Sequence, residues 1–121
     1  MPKIHVYGEI DSPSANTTYY IPEGTHFIVN VEGTSGMLTF WVWADQPIEV
    51  ELETCTNPAN GDWHGIANAI LGITETPEVP GFKANKWNYI SLPDIGIYYL
   101  RARVLTGSTA PSKIKWQLIV W

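Results

Sequence analysis

The chain has 121 residues, with 7 Lys+Arg against 12 Asp+Glu and a formal net charge of −5. That length is one ordinary domain, 1–121, large enough to hold a core without staples. The negative charge excludes a broad nucleic-acid surface, because such affinity comes from Lys and Arg neutralising phosphates, and the single cysteine, Cys55, excludes an internal disulfide and every multi-cysteine metal site. No apolar run approaches the length that spans a bilayer. Six Trp and six Tyr, with 10 Gly and 9 Pro, are the mix expected of many short strands punctuated by turns.

In chain order, residues 3–10 alternate: Ile4, Val6 and Ile10 face one way with Gly8 among them, and Lys3, His5, Tyr7 and Glu9 the other. Period two predicts a strand with one buried face. After the polar breaker at 11–16, residues 17–21 predict a short edge strand stopped by Pro22. Residues 25–32 predict another, with Phe27, Val29 and Val31 opposite His26, Ile28 and Asn30. A hairpin-type loop at 33–36 leads into 37–44, which is apolar on both faces: Leu38, Phe40 and Val42 against Met37, Trp41 and Trp43. Such a strand is central or has its outer face covered. Residues 48–54 alternate most cleanly, with Ile48, Val50 and Leu52 inward and Glu49, Glu51 and Glu53 outward. In the segment 56–80, Asp62 is placed to cap a short helix in which Trp63, Ile66, Ala67, Ile70 and Leu71 fall at helical spacing, with Gly72 ending it. Residues 86–92, 96–105 and 112–121 predict the last strands. The expectation is an all-β antiparallel sandwich of seven or eight strands with one short crossover helix.

The segment 92–100 carries Asp94, Gly96 and Tyr98 and resembles the Asp-x-Gly-x-Tyr-x-Cys corner of immunoglobulin-like domains, with Leu100 where the cysteine stands. The resemblance implies that Tyr98 opens a strand and bonds back to the backbone upstream. It also implies that Leu100 fills inter-sheet space opposite Val29, with Trp41 or Trp43 as the buried tryptophan. On function it is silent.

Candidate chemistry is sparse. Asp62 and His64 bracket Trp63, and Cys55 lies nearby in sequence, but no nucleophile elbow accompanies them; a local structural role is favoured over a small hydrolase. His5, His26 and His64 are scattered rather than at metal-site spacing. The Glu49, Glu51 and Glu53 row is spaced too widely to share one cation and predicts a solvated face, opposite Lys113 and Lys115. Asn16-Thr17-Thr18 fits a glycosylation acceptor, but the start lacks the features of a secretory leader. No catalytic, cofactor or metal site is expected.

The surplus lies in the aromatics. Trp63, Trp87, Tyr19 and Tyr20 fall in loops or at strand ends, and Trp41 and Trp43 share an outer face to be covered by the 56–80 crossover or by a partner. These six are the candidate binding residues. The leading expectation is a non-enzymatic structural or interaction protein. A stand-alone domain of this type resembles viral and phage accessory proteins that decorate capsids. That likeness implies a virion location and a protein partner, a capsid lattice or further copies of the chain, with no nucleic acid or membrane. The alternative is a carbohydrate-binding module, secreted or on a cell surface if a leader was removed, stacking sugars on Trp63 and Trp87 beside Asn60 and Asp62.

Overall fold

Alternating burial builds two antiparallel sheets. The computed structural model describes residues 2–29, 36–93 and 97–121. Among them are nine strands: β1 (Ile4–Asp11), β2 (Thr18–Ile21), β3 (Phe27–Ile28), β4 (Met37–Ala44), β5 (Ile48–Cys55), β6 (His64–Leu71), β7 (Asn88–Pro93), β8 (Tyr99–Thr106) and β9 (Lys113–Val120). One sheet runs β1-β9-β4-β7; the other runs β2-β8-β5-β6, with β3 also against β8. The two pack as a β-sandwich. Leu38, Phe40, Val42 and Ala44 of β4 are fully buried, as are Ile114, Leu118 and Val120 of β9. They meet Ile48, Val50 and Leu52 of β5 and Leu100, Ala102 and Val104 of β8 in one apolar cluster. Strands β4 and β9 are central, which is why both can carry large apolar groups.

Trp116 of β9, partly buried, packs against this core. Its ring meets Phe27 edge-on at 5.6 Å and stacks near Phe40 at 6.4 Å. Gly8, its cross-strand neighbour, makes room: a Cβ there would lie 2.7 Å from Trp116 Cζ2. The buried Thr106 hydroxyl ties down the chain after β1, donating to the Ser14 carbonyl at 2.6 Å and accepting the Thr17 N–H at 2.9 Å.

Four sequence expectations are corrected. The crossover helix is absent: residues His64–Leu71 form β6 on the edge of β5, and the segment holds only a 3-10 turn at Pro58–Asn60, capped by the Asn57 side chain rather than by Asp62. The misleading spacing has a cause. The β5–β6 register slips between Glu51 and Glu53, and Asn68 sits at φ 62. A bulge of this kind breaks period two, so the inward residues become Ile66, Ala69 and Leu71, a spacing that imitates a helix. Among the described residues the strand count is accordingly nine rather than seven or eight. Val29 and Leu100 do not face each other across the sandwich: the Val29 N–H donates to the Tyr98 carbonyl at 2.9 Å and Phe27 pairs with Leu100, so both lie in one sheet. Finally, Trp41 and Trp43 point outward, half-buried. Of the immunoglobulin-like corner, Asp94 and Gly96 fall outside the described residues, as does the 33–35 part of the hairpin loop. Tyr98 is 48% exposed, with its ring edge-on to Tyr99 at 4.7 Å.

Candidate functional site

The six aromatic candidates separate into three places. Tyr19 turns inward from β2 and packs on the core, and its hydroxyl accepts the Ser14 N–H at 2.7 Å. It is part of the scaffold.

Tyr20 and Trp63 meet on the outer face of the five-stranded sheet, around a residue that sequence reading passed over. Arg101 of β8 lies between them, its guanidinium carbon 4.0 Å from the Tyr20 ring centroid and 4.3 Å from that of Trp63. Its Nε donates to Glu53 Oε1 at 2.8 Å. Both aromatic rings are thus engaged by the chain's own cation. Glu53 is 8% exposed because Arg101 and Arg103 cover it. The carboxylate row therefore does not face Lys113 and Lys115: Arg103 Nη2 reaches Glu49 at 3.2 Å and Glu51 at 3.3 Å. Burial works against the Arg103 charge, but its hydrogen bond to Glu51 and the field of the three glutamates outweigh that and hold its pKa above the ordinary value. A depression of about 280 Å³ remains beside this cluster, lined by Gly24, Thr25, His26 and Pro58 with the stacked residues. Nearby, Asp62 and His64 pair at 2.9 Å in the open, both more than half exposed. Cys55 is buried, and burial pushes its thiol pKa up, away from the thiolate that nucleophilic work needs. Among the described residues no three His, Cys, Asp or Glu side chains come together as a metal site.

Trp41, Trp43 and Trp87 belong to the opposite surface, the outer face of the four-stranded sheet. The registers align Tyr7 of β1, Gln117 of β9, Trp41 of β4 and Tyr89 of β7 in one row across all four strands. With strands about 4.8 Å apart the row spans about 14 Å. Tyr7 is 76% exposed and Tyr89 58%; Trp41 packs against Tyr89 at 4.9 Å. Trp43, in the next row, is capped by the Lys115 ammonium at 4.8 Å. Trp87, 42% exposed, overhangs the face. It walls one groove of about 330 Å³ with His5, Tyr7, Lys115 and Gln117, and a second of about 310 Å³ with Trp41, Gln117 and Ile119. Met37 and Trp121 extend the apolar surface at one end. At the other, Lys113 bridges Glu9 and Asp11 at 3.2 and 3.5 Å, and the hydrogen bond to Glu9 leads the effects that raise its pKa.

Trp87 is held in place by its neighbours. Phe82 is sunk in the core, and the Asn85 N–H donates to the Ala44 carbonyl at 2.8 Å. The Asn88 side chain closes the turn, accepting the Lys83 N–H and donating to the Lys83 and Lys86 carbonyls, each at 2.9 Å. The 56–80 segment does not cover this face, because its strand β6 joins the other sheet. Tyr7, Tyr89, His5 and Gln117 were missed as site residues. The available signal was their outward phase in alternating strands, which becomes a row only once the register is known.

Compared with known protein families, with curated proteins and with solved structures, the chain matches none. No helix among the described residues is long and apolar enough to cross a membrane.

Proposed function

We propose that the chain is a non-enzymatic recognition domain that docks on a protein surface by the outer face of its four-stranded sheet, in the manner of a virion accessory or capsid decoration protein. The observation that carries this reading is the aromatic row Tyr7–Gln117–Trp41–Tyr89 with Trp87 beside it. Rigid aromatics exposed together on an open face are the side chains that dominate protein interfaces, where they fill pockets at small cost in conformational entropy. The opposite face has spent its aromatics on Arg101 and is a weaker candidate. The immunoglobulin-like likeness enters only as two packed antiparallel sheets. Its usual arrangement keeps the last two strands in one sheet, whereas β8 and β9 lie in opposite sheets. The docking reading does not depend on it.

A second reading, a glycan-binding module, is favoured by one feature: the polar pair His5 and Gln117, hydrogen-bonded to each other at 3.0 Å, lines the groove that Trp87 walls, and Gln117 also lines the one that Trp41 walls. That is the pairing of stacking surface with polar groups that a sugar needs.

Photo-crosslinking in the source cells separates the two. A photoreactive phenylalanine replacing Tyr89 is expected to capture one protein species, and capture is expected to fall with Trp87→Ala. The same group replacing Glu51, on the other sheet, is expected to capture none. Equal capture from both faces overturns the docking surface. No protein adduct, together with glycan-array binding lost in Trp87→Ala, replaces it with the sugar reading.

A further inference from the structure

The phase of backbone hydrogen bonding in β1 follows from its neighbours. The Ser12 N–H donates to the Ser112 carbonyl, and the Trp121 N–H donates to the Met37 carbonyl. With the β1–β9 register, this turns the backbone of Ile4, Val6, Gly8 and Ile10 toward β9. The N–H and C=O groups of His5, Tyr7 and Glu9 therefore point away from the sheet. Among the described residues, strand β1 lies at the end of the sheet order and pairs with β9 alone. The other edges are blunted: β2 is four residues long and runs into Pro22, β6 is bulged with Asn68 at positive φ, and β7 ends in Pro93. Among the described residues, β1 is the one eight-residue edge with neither proline nor positive φ within its span. Such an edge is a template for another strand unless its charges forbid it.

The charges of β1 instead select a partner. Lys3 lies at one end, with His5 beside it hydrogen-bonded to Gln117 at 3.0 Å, Glu9 and Asp11 lie at the other, and Tyr7 is central. Two copies run antiparallel about a two-fold axis at Tyr7 would set Lys3 opposite Asp11, His5 opposite Glu9 and Tyr7 opposite its own counterpart. His5, Tyr7 and Glu9 share the outward backbone phase, so the central pairing needs no slip; the Lys3 N–H instead donates to the Val120 carbonyl at 2.7 Å, so Lys3 would engage Asp11 by its side chain alone. Parallel pairing in the same register would set like against like. Val6 points to the inner side yet stays 37% exposed, and in this register it meets the partner's Gly8. The Asp11 and Glu9 carboxylates already touch Lys113 but retain side-chain exposures of 74% and 47%, room for a second cation from the open side.

We infer that the free edge of β1 pairs antiparallel with β1 of a second copy, joining two four-stranded sheets into one continuous eight-stranded sheet. Opposite-charge pairs and about six backbone hydrogen bonds hold the seam. The two-fold axis stands perpendicular to the sheet, so both aromatic rows lie on the same side. Two weak docking faces then bind as one bivalent surface.

Sedimentation velocity over a concentration series tests this. The wild-type chain is expected to form a dimer. Tyr7→Pro removes an N–H that the single chain does not use and is expected to weaken the dimer at least about tenfold. Lys3→Glu and Asp11→Lys should each weaken it, since each sets like charges opposite at both ends of the seam. An equimolar mixture of the two should restore it as a heterodimer. Neither Lys3 nor Asp11 lines the grooves, so loss of docking with intact dimerisation, or the reverse, tells the two readings apart. A wild-type chain that stays monomeric at millimolar concentration overturns the inference. So does a dimer indifferent to Tyr7→Pro, or a mixture that fails to restore association.

Discussion

Gly8 shows how a single residue sets the local packing. Its missing Cβ lets the Trp116 ring lie against the β1 backbone, and that ring is itself held by Phe27 and Phe40. Gly8→Ala is therefore expected to cost about 1–3 kcal/mol through overpacking, read as a lowered urea midpoint at unchanged slope. Asp45 is a residue whose titration the fold senses. The Ser112 hydroxyl donates to its carboxylate, and the Ser112 N–H donates at 2.8 Å. The hydroxyl bond leads the effects that hold the Asp45 pKa below its usual 3.8, against an opposing push from burial. A lowered carboxyl pKa contributes stability that is present above the ordinary value and lost as pH falls through the folded-state value. Ser112→Ala is thus expected to destabilise the chain most at neutral pH. The gap from wild type should close as urea titrations move below pH 4, and a gap constant down to strong acid would contradict this linkage.

Strand patterning was largely legible before the structure, because burial on one face leaves period two in the residues. Strand β4 matches its expected span, and β5 differs by one residue. What the sequence concealed was partnership. Nothing local says that Glu49, Glu51 and Glu53 face Arg101 and Arg103 rather than Lys113 and Lys115, since register is a property of two strands. Strand β6 was misread for a related reason: its bulge erased the alternation. The Arg101 stack gives the sharpest test at this level. Lysine at position 101 keeps the charge but loses the planar face that lies between Tyr20 and Trp63. It also loosens the hold on a buried Glu53. Arg101→Lys is expected to destabilise by about 1–3 kcal/mol and to raise Trp63 accessibility to acrylamide quenching. The turn before β7 offers a complementary test. Asn88→Ala removes three hydrogen bonds around Trp87 and is expected to weaken docking several-fold more than it lowers thermal stability. Equal loss of both would make Asn88 a stability residue only.

Across the whole molecule, the two sheets have divided their polar and aromatic residues differently. The five-stranded sheet pairs the charges of its outer face internally, with Arg101 and Arg103 among three glutamates and two aromatic rings. The four-stranded sheet leaves Tyr7, Trp87 and Tyr89 substantially exposed, with Trp41 packed between them. Composition announced the aromatic surplus. Its location needed the fold, because whether a tryptophan is engaged or open depends on a cross-strand neighbour that one strand cannot specify. Hydroxyl-radical footprinting measures that difference directly. In the isolated chain, Tyr7, Trp87 and Tyr89 are expected to label faster than Tyr19, Tyr20 and Trp63. In the chain's native assembly the first three are expected to lose their labelling and the others to keep theirs. Trp63 and Tyr20 labelling as fast as Trp87, or protection falling on the Arg101 face instead, would contradict the account.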